Sequence, residues 1–501
     1  MVNHFKEGDI MSAANSKQLH EDNRIDNWSY LWMAMFTAGG YVLFSIIHYL
    51  FGELVLKVFG AAVIVGLVFA MVYAVWKKTN SERRTVYLLL FISIVLRLCY
   101  VLLTAKSGYE GESYEIFTTV HTDLTLPASF QPLYYVAAAA VYNFTGMLSI
   151  LQPFGVEIVR VITEYLGIVS AIAVYYILCE MEANDTAIYL GTAIIAFHPG
   201  LIILGGEISP VMTTFTLLVM TMLFLSRWNN FTDGYNFLMM SIAFGLAVMT
   251  DLSALLFVPV IATLMIINLV RAIKRRSALN IVSTSLQSVA GLVIWAILSF
   301  AYPVKNFMEG KETGLLRLFN DVSGQRGAVD LHERFLSFSV EELFALQVNP
   351  TDKNAWAYWI KSSLFGFRSV NLASEQLAPA YAGFVAAAAV VAMIGALMVI
   401  SNIFTHLDAK KKVNVWTFIA LVVCAVGYYV LVNIGRPEAE SMSFGVAPIA
   451  LALGMTMLGS GLKALSMKKK LNFVAQILYF LIVLVCFVYC AATVVYGILF
   501  I

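Results

Sequence analysis

An all-α, polytopic membrane protein is the fold class this sequence predicts, and three observations predict it. Of 501 residues, 60% are hydrophobic and 13% charged, and the mean hydropathy is +0.81. Apolar runs of about 17–25 residues, the length a helix needs to cross a bilayer, recur from position 28 to the C-terminus. Lysines and arginines gather in short clusters between those runs. Backbone in hydrocarbon must satisfy its own hydrogen bonds, so runs of this kind are expected as helices. A balance this apolar excludes an ordinary soluble domain. A net charge of +1 without a basic arm gives no nucleic-acid signal.

About thirteen spans are expected, at 28–51, 55–76, 85–104, 157–180, 185–204, 208–226, 234–250, 252–272, 280–302, 379–402, 414–433, 441–461 and 472–498. The first 27 residues are polar and precede a full-length apolar run with no small-residue cleavage site, which reads as an uncleaved signal anchor on a cytoplasmic N-terminus. An N-terminal hairpin (28–84) then leads into a transmembrane core (85–302), a large loop (303–378) and the C-terminal helices (379–501). All five cysteines stand in apolar segments, with neither a disulfide framework nor a metal-ligand spacing.

Charge sets the sidedness. The clusters at 77–84, 271–276, 410–412 and 468–470 are all expected in the cytoplasm. A further apolar stretch, 132–150, would reverse every later cluster if it crossed. It is therefore expected as a juxtamembrane helix that starts at Pro132, where a missing N–H costs nothing. The segments 105–156, 198–210 (a tight turn around "HPGLIILGGEISP") and 303–378 then share the external face, and the C-terminus is external.

Chemistry-bearing residues gather on those external segments. Glu110, Glu112, Glu115 and Asp123 crowd the first loop around His121, and a positioned carboxylate is what general-base catalysis needs. Glu110, set between Gly108 and Gly111 just past a helix end, is the leading candidate. Arg97 lies inside a span, and Arg160 lies near the start of the next. Arg160 suits an anionic phosphate, or a pairing with Glu157 or Glu164 three and four residues away on its own helix. His198 and Glu207 mark the second external segment, and Lys305 and Lys361 are further cations for a phosphate. The aromatic stretch 354–370, with Trp356 and Trp359, reads as an interfacial anchor of the large loop.

These landmarks resemble the GT-C superfamily of polytopic glycosyltransferases, in particular the protein-O-mannosyltransferase-like group (glycosyltransferase family 39). In order they are "LRLCY", the acidic loop, "QPLYY" where that family has His-Pro-Pro-Leu-Tyr-Tyr, "RVITEYLGI", "FHPGLIILGGEIS", "MTDLSALLFVP", "YPVKNF", "ERF", "WIKSSLFGF" and "SMSFGVAP". The match spans about residues 85–455 and departs at several positions. Glu110 stands for an Asp, Gln131 for the first His, Ser209-Pro210 for an Asn-Asp pair, Asp251 for a basic residue and Gly445 for an Arg.

The resemblance implies a GT-C-like fold in a bacterial plasma membrane. The enzyme would pass a sugar from a polyprenyl-phosphate-linked donor to a protein, a cell-wall polymer or a lipid at the external face. Glu110 with Glu112 would be catalytic. Tyr109, His121, Gln131 and Tyr134 would line the substrate site, and Arg160, His198, Glu207, Lys305 and Lys361 would complete it. No cofactor is expected, although the carboxylates could take a divalent cation. Two other readings use the same residues. One is a non-catalytic scaffold or partner subunit that binds lipid-linked glycan. The other is a transporter or flippase, which the missing internal repeat disfavours.

Overall fold

A computed structural model describes residues 27–59, 82–105, 112–181, 185–231, 233–274, 278–311, 331–337 and 409–435, with scattered positions within 62–66, 354–359, 387–390 and 473–488. In chain order its helices are α1 (Asn27–Phe51), α2 (Glu82–Leu103), α3 (Glu112–Asp123), α4 (Pro132–Gly146), α5 (Gly155–Glu180), α6 (Asp185–Ala196) and α7 (Pro199–Gly206). There follow α8 (Val211–Phe231), α9 (Gly234–Thr250), α10 (Val258–Lys274), α11 (Ala278–Met308), α12 (Leu331–Phe335) and α13 (Ala409–Gly435). Among the described residues there is no strand. Eight helical stretches there are long and apolar enough to cross a membrane. They correspond to the expected spans at 28–51, 85–104, 157–180, 185–204, 208–226, 252–272, 280–302 and 414–433. The chain is an integral membrane protein of the all-α class. The expected span at 234–250 is a helix with those bounds but only 17 residues long. The spans expected at 55–76, 379–402, 441–461 and 472–498 lie wholly or mostly outside the described residues.

Three apolar clusters hold the body together. The largest joins α1, α2, α5, α6, α7 and α8. A second is formed by α8, α9, α10 and α13. The third lies under α3 and α4, where Phe117, Val120, Tyr134, Tyr135 and Ala138 pack on Val159 of α5 and Ile208. A small subdomain with its own core thus sits on one end of the bundle.

That arrangement answers the parity question. The Arg160 side chain near the start of α5 hydrogen-bonds the Thr104 carbonyl at 3.3 Å, just past the end of α2, so the chain leaves and re-enters the bundle at the same end. Helix α4 has 15 residues. At about 1.5 Å per residue it reaches ~22 Å, short of the ~30 Å of bilayer hydrocarbon. It begins at Pro132, with Gln131 extended before it (φ −87°, ψ 145°), as the steric demand of a following proline requires. Gly155 opens α5 because a Cβ there would sit 2.8 Å from the Tyr142 ring.

The opposite end carries the described parts of three basic clusters, at the start of α2, the end of α10 and the start of α13. Arg271 Nη1 donates to Asn229 Oδ1 (2.7 Å), and Asn414 Nδ2 donates to Ser226 Oγ (2.9 Å). These bonds tie α8, α10 and α13 together beside two of the Lys/Arg runs. Arg227 pairs with Glu180 (2.9 Å) at the same end and lies over the Tyr176 ring.

One expectation is corrected. Residues 198–210 do not form a turn, because Pro199–Gly206 is a helix and only 207–210 turns. The apolar stretch Ala187–Gly206 is one fully buried span, broken at Phe197–His198. Proline cannot donate to the helix and pushes His198 out of helical conformation (φ −66°, ψ 120°). The break survives in the interior because its polar groups find partners. Ser93 Oγ donates to the Ala196 carbonyl at 2.7 Å, and His198 Nδ1 accepts from the Leu201 amide at 3.4 Å.

Candidate functional site

The residues with chemical potential concentrate at the end of the bundle that carries α3 and α4, here called the loop end. Arg160 is its hub. It is wholly buried, and its guanidinium donates to the carbonyls of Gly206, Val101 and Thr104 and to the Thr104 hydroxyl. Those acceptors stand at the C-terminal ends of α2 and α7, where the last carbonyls have no helical partner and the helix dipole is negative. A planar five-donor cation can bridge two such ends at once.

A second arginine lies deeper. Arg97 forms an ion pair with Glu164, both side chains 1% exposed. Arg97 also donates to Ser93 Oγ (3.4 Å) and the Leu201 carbonyl (3.3 Å). Two glycines make the space, since a Cβ at Gly167 would overlap the Arg97 guanidinium and one at Gly205 would overlap the Glu164 carboxylate. Of the alternatives the sequence offered for Arg160, the pairing with Glu164 is therefore corrected. Its partner comes from another helix, 67 residues away in sequence.

The other candidates fall into three groups. Tyr134 and Gln131 stand at the start of α4, and Glu207 is near enough to act on Tyr134. Tyr134 is buried, and burial raises its hydroxyl pKa above the ordinary tyrosine value. The Thr163 hydroxyl offsets part of this, and the Glu207 carboxylate adds to it. Gln131 is buried, and neither of its amide atoms has a hydrogen-bond partner among the described residues. On α3, Glu112 and Glu115 are exposed, and Tyr135 donates to Ser113 Oγ at 3.4 Å. His121 stacks on Tyr142 of α4 with ring centroids 4.4 Å apart.

Lys305 stands apart on the last turns of α11, 67% exposed and 3.9 Å from Glu309. Its neighbours Tyr302 and Asn306 reach the carbonyls of Leu126 and Ala128 at 3.4 Å, which brings this helix end to the segment leading into α4. Lys311 donates to Glu309 at 2.7 Å, holding that carboxyl pKa below its usual value while its own is raised.

Not every candidate joins this end. His198 lies inside the span at the α6–α7 break, eight residues of helix away from Glu207. Glu110, Tyr109 and Lys361 lie outside the described residues. Among the described residues no three His, Cys, Asp or Glu side chains come together as metal ligands. Of the aromatic stretch, Trp356 donates to the Phe335 carbonyl (3.0 Å) and Trp359 stacks on Tyr429 of α13. Its described residues thus pack on the bundle. Sequence reading missed Thr104 and Gly206, which receive Arg160. The only signal was their place at the ends of apolar runs.

The chain matches no family model and no curated protein. Among solved structures it is similar to the oligosaccharyltransferase of Archaeoglobus fulgidus in its apo form, with 12% identity and a TM-score of 0.45. The similarity covers 83% of this chain and 56% of that one. The same archaeal enzyme in complex with an inhibitory peptide and a dolichol-phosphate gives 12% identity, a TM-score of 0.45 and coverage of 83% and 56%. Its form tethered to an acceptor peptide gives 11%, 0.44, 83% and 55%. The chain spans little more than half the length of these proteins.

Proposed function

We propose that this protein is a membrane glycosyltransferase of GT-C type that moves a sugar from a polyprenyl-phosphate-linked donor to an acceptor at the external face. One observation carries the reading. The acidic segment after α2 folds as two non-spanning helices on a small core, at the same bundle end as Lys305. A lipid-borne donor enters sideways from the bilayer, so carboxylates and a cation are needed at the membrane surface. The order of motifs in the sequence supports the same class.

In this reading the Glu110 carboxylate takes the proton from an acceptor hydroxyl, and Glu112 assists. The hydroxyl oxygen forms its bond to the anomeric carbon as the bond from that carbon to the carrier phosphate breaks. The sugar inverts and polyprenyl phosphate leaves. Lys305, and Lys361 with it, holds the phosphate, which Lys305 can do because its ammonium is exposed. Arg160 acts at one remove by fixing the ends of α2 and α7, since its described donors are spent on protein acceptors. Membranes containing the protein are expected to transfer label from a polyprenyl-phosphate sugar, and Glu110→Gln to lower that rate by 10²-fold or more, the order expected for a lost general base. Unchanged transfer by Glu110→Gln would end the assignment of the base.

The enclosure of Arg160 favours a second reading, a non-catalytic relative that binds lipid-linked glycan. Binding of polyprenyl phosphate that Lys305→Ala abolishes, without turnover toward any acceptor class, would select it over the enzyme.

A further inference from the structure

Helix α4 is apolar on both sides. Tyr134, Tyr135, Ala138 and Ala139 face the core beneath it. On the other side Val136, Ala137, Ala140 and Phe144 are exposed, at the three- and four-residue spacing of one helical stripe. The stripe continues past the helix end into Met147, Leu148 and Ile150 and on to Phe154. Phe144, Met147 and Ile150 are 64%, 81% and 82% exposed. A helix that is apolar all round belongs in an apolar surrounding. Scattered exposed apolar side chains need no explanation, but a contiguous stripe of large ones does.

Two further observations say what covers it. No Asp, Glu, Lys or Arg stands between Asp123 and Glu157, so the whole stretch from the end of α3 to the first turn of α5 carries no charge, and Ser149 and Gln152 are the exposed polar side chains of its turn. The stripe also runs directly into Gly155, where a spanning helix begins, and it matches the outward faces of the spans. On α11, Val282, Leu286, Val289 and Ile297 are exposed in the same way, and that helix crosses the bilayer by length and composition.

We infer that the outer stripe of α4 and the turn Met147–Phe154 are sunk in the hydrocarbon of the adjacent leaflet, forming a wedge that enters the bilayer without crossing it. The occupant of this face is lipid acyl chain. Helix α3 lies on the water side of the wedge, since Glu112, Glu115, Thr122 and Asp123 are exposed there. The wedge therefore pins the acidic helix at the membrane surface. The inference stands independently of the glycosyltransferase reading.

The test uses the full chain in liposomes of phosphatidylcholine and phosphatidylglycerol, with a nitroxide attached at Met147→Cys, at Ile150→Cys or, as the water-side reference, at Thr122→Cys. All three positions are exposed, so each label replaces a side chain outside the core. Collision rates are read with oxygen, which concentrates in hydrocarbon, and with a water-soluble nickel chelate. Labels at 147 and 150 are expected to show an oxygen-to-chelate ratio several-fold above that at 122. A ratio equal to that at 122 would put the turn in water and overturn the inference. Labels that are immobilised and shielded from both reagents would show a protein cover, from this chain or a second copy, and would overturn it equally.

Discussion

Arg97 and Glu164 form a charged pair sealed in an apolar body, and its energetics lie in what each would leave behind. Desolvating two charges costs about as much as their attraction returns, so the pair itself adds little stability. Removing one partner strands the other, which typically costs ~3–5 kcal/mol. Arg97→Met is therefore expected to lower the thermal midpoint of the purified protein sharply. The double substitution Arg97→Met, Glu164→Leu is expected to cost less than the two single changes summed, read as a double-mutant cycle in detergent. A strictly additive cycle would show that the two do not act on each other. The glycines around the pair give a second expectation. Gly205→Ala places a methyl into the Glu164 carboxylate and should destabilise by about 1–3 kcal/mol. Gly427→Ala in α13 meets nothing within 4 Å and should be neutral or gain up to ~1 kcal/mol of helix propensity. Equal midpoints for the two alanine variants would contradict the close packing at Gly205. The cost of setting Arg97 inside a span was legible in the sequence, whereas Arg160 was expected near the external surface and is wholly buried. The partner of Arg97 was not legible, because spacing along one helix sees only that helix, and Ser93, Arg97, Glu164 and His198 come from three separate elements.

At the scale of elements, Arg160 does for α2 and α7 what capping residues do elsewhere, by serving carbonyls that helix geometry leaves bare. Lysine carries the same charge but has one nitrogen, which cannot straddle two helix ends. Arg160→Lys is expected to cost about 1–3 kcal/mol through the hydrogen bonds left unmade. Hydrogen exchange should quicken in the last turns of α2 and α7 while α10 stays unchanged. A uniform rise across all helices would mean that Arg160 supports the whole fold rather than these ends. Much of the element order could be read from apolar run length and from prolines. Pro132 opens α4 where the sequence put it, since proline at a first turn is favoured for a local reason. Pro199 misled for the opposite reason. Locally it signals a helix end, and only the Ser93 hydroxyl and the His198 ring, satisfying the freed backbone groups, let the span continue through it.

At the scale of the whole molecule, two sets of polar contacts orient seven of the eight described spans, all but α1. Arg160 gathers the ends of α2, α5 and α7, and Tyr302 with Asn306 brings the end of α11 to the same side. Asn229, Arg271 and Asn414 gather the other ends of α8, α10 and α13 beside the basic runs. The arrangement makes Thr122 and Glu309 neighbours in sidedness and sets Lys274 opposite them. Single cysteines at these three positions, probed with an impermeant maleimide in right-side-out vesicles, test it directly. Thr122→Cys and Glu309→Cys are expected to react at once, and Lys274→Cys only after the membrane is opened, because basic segments stay in the cytoplasm. Reaction of 122 and 309 from opposite sides would break the architecture. Reaction of 274 alone from outside would keep the architecture and invert it. Glu112 and Lys305 would then face the cytosol, where transfer to an external acceptor has no place, and the proposed function would fall with its fold intact.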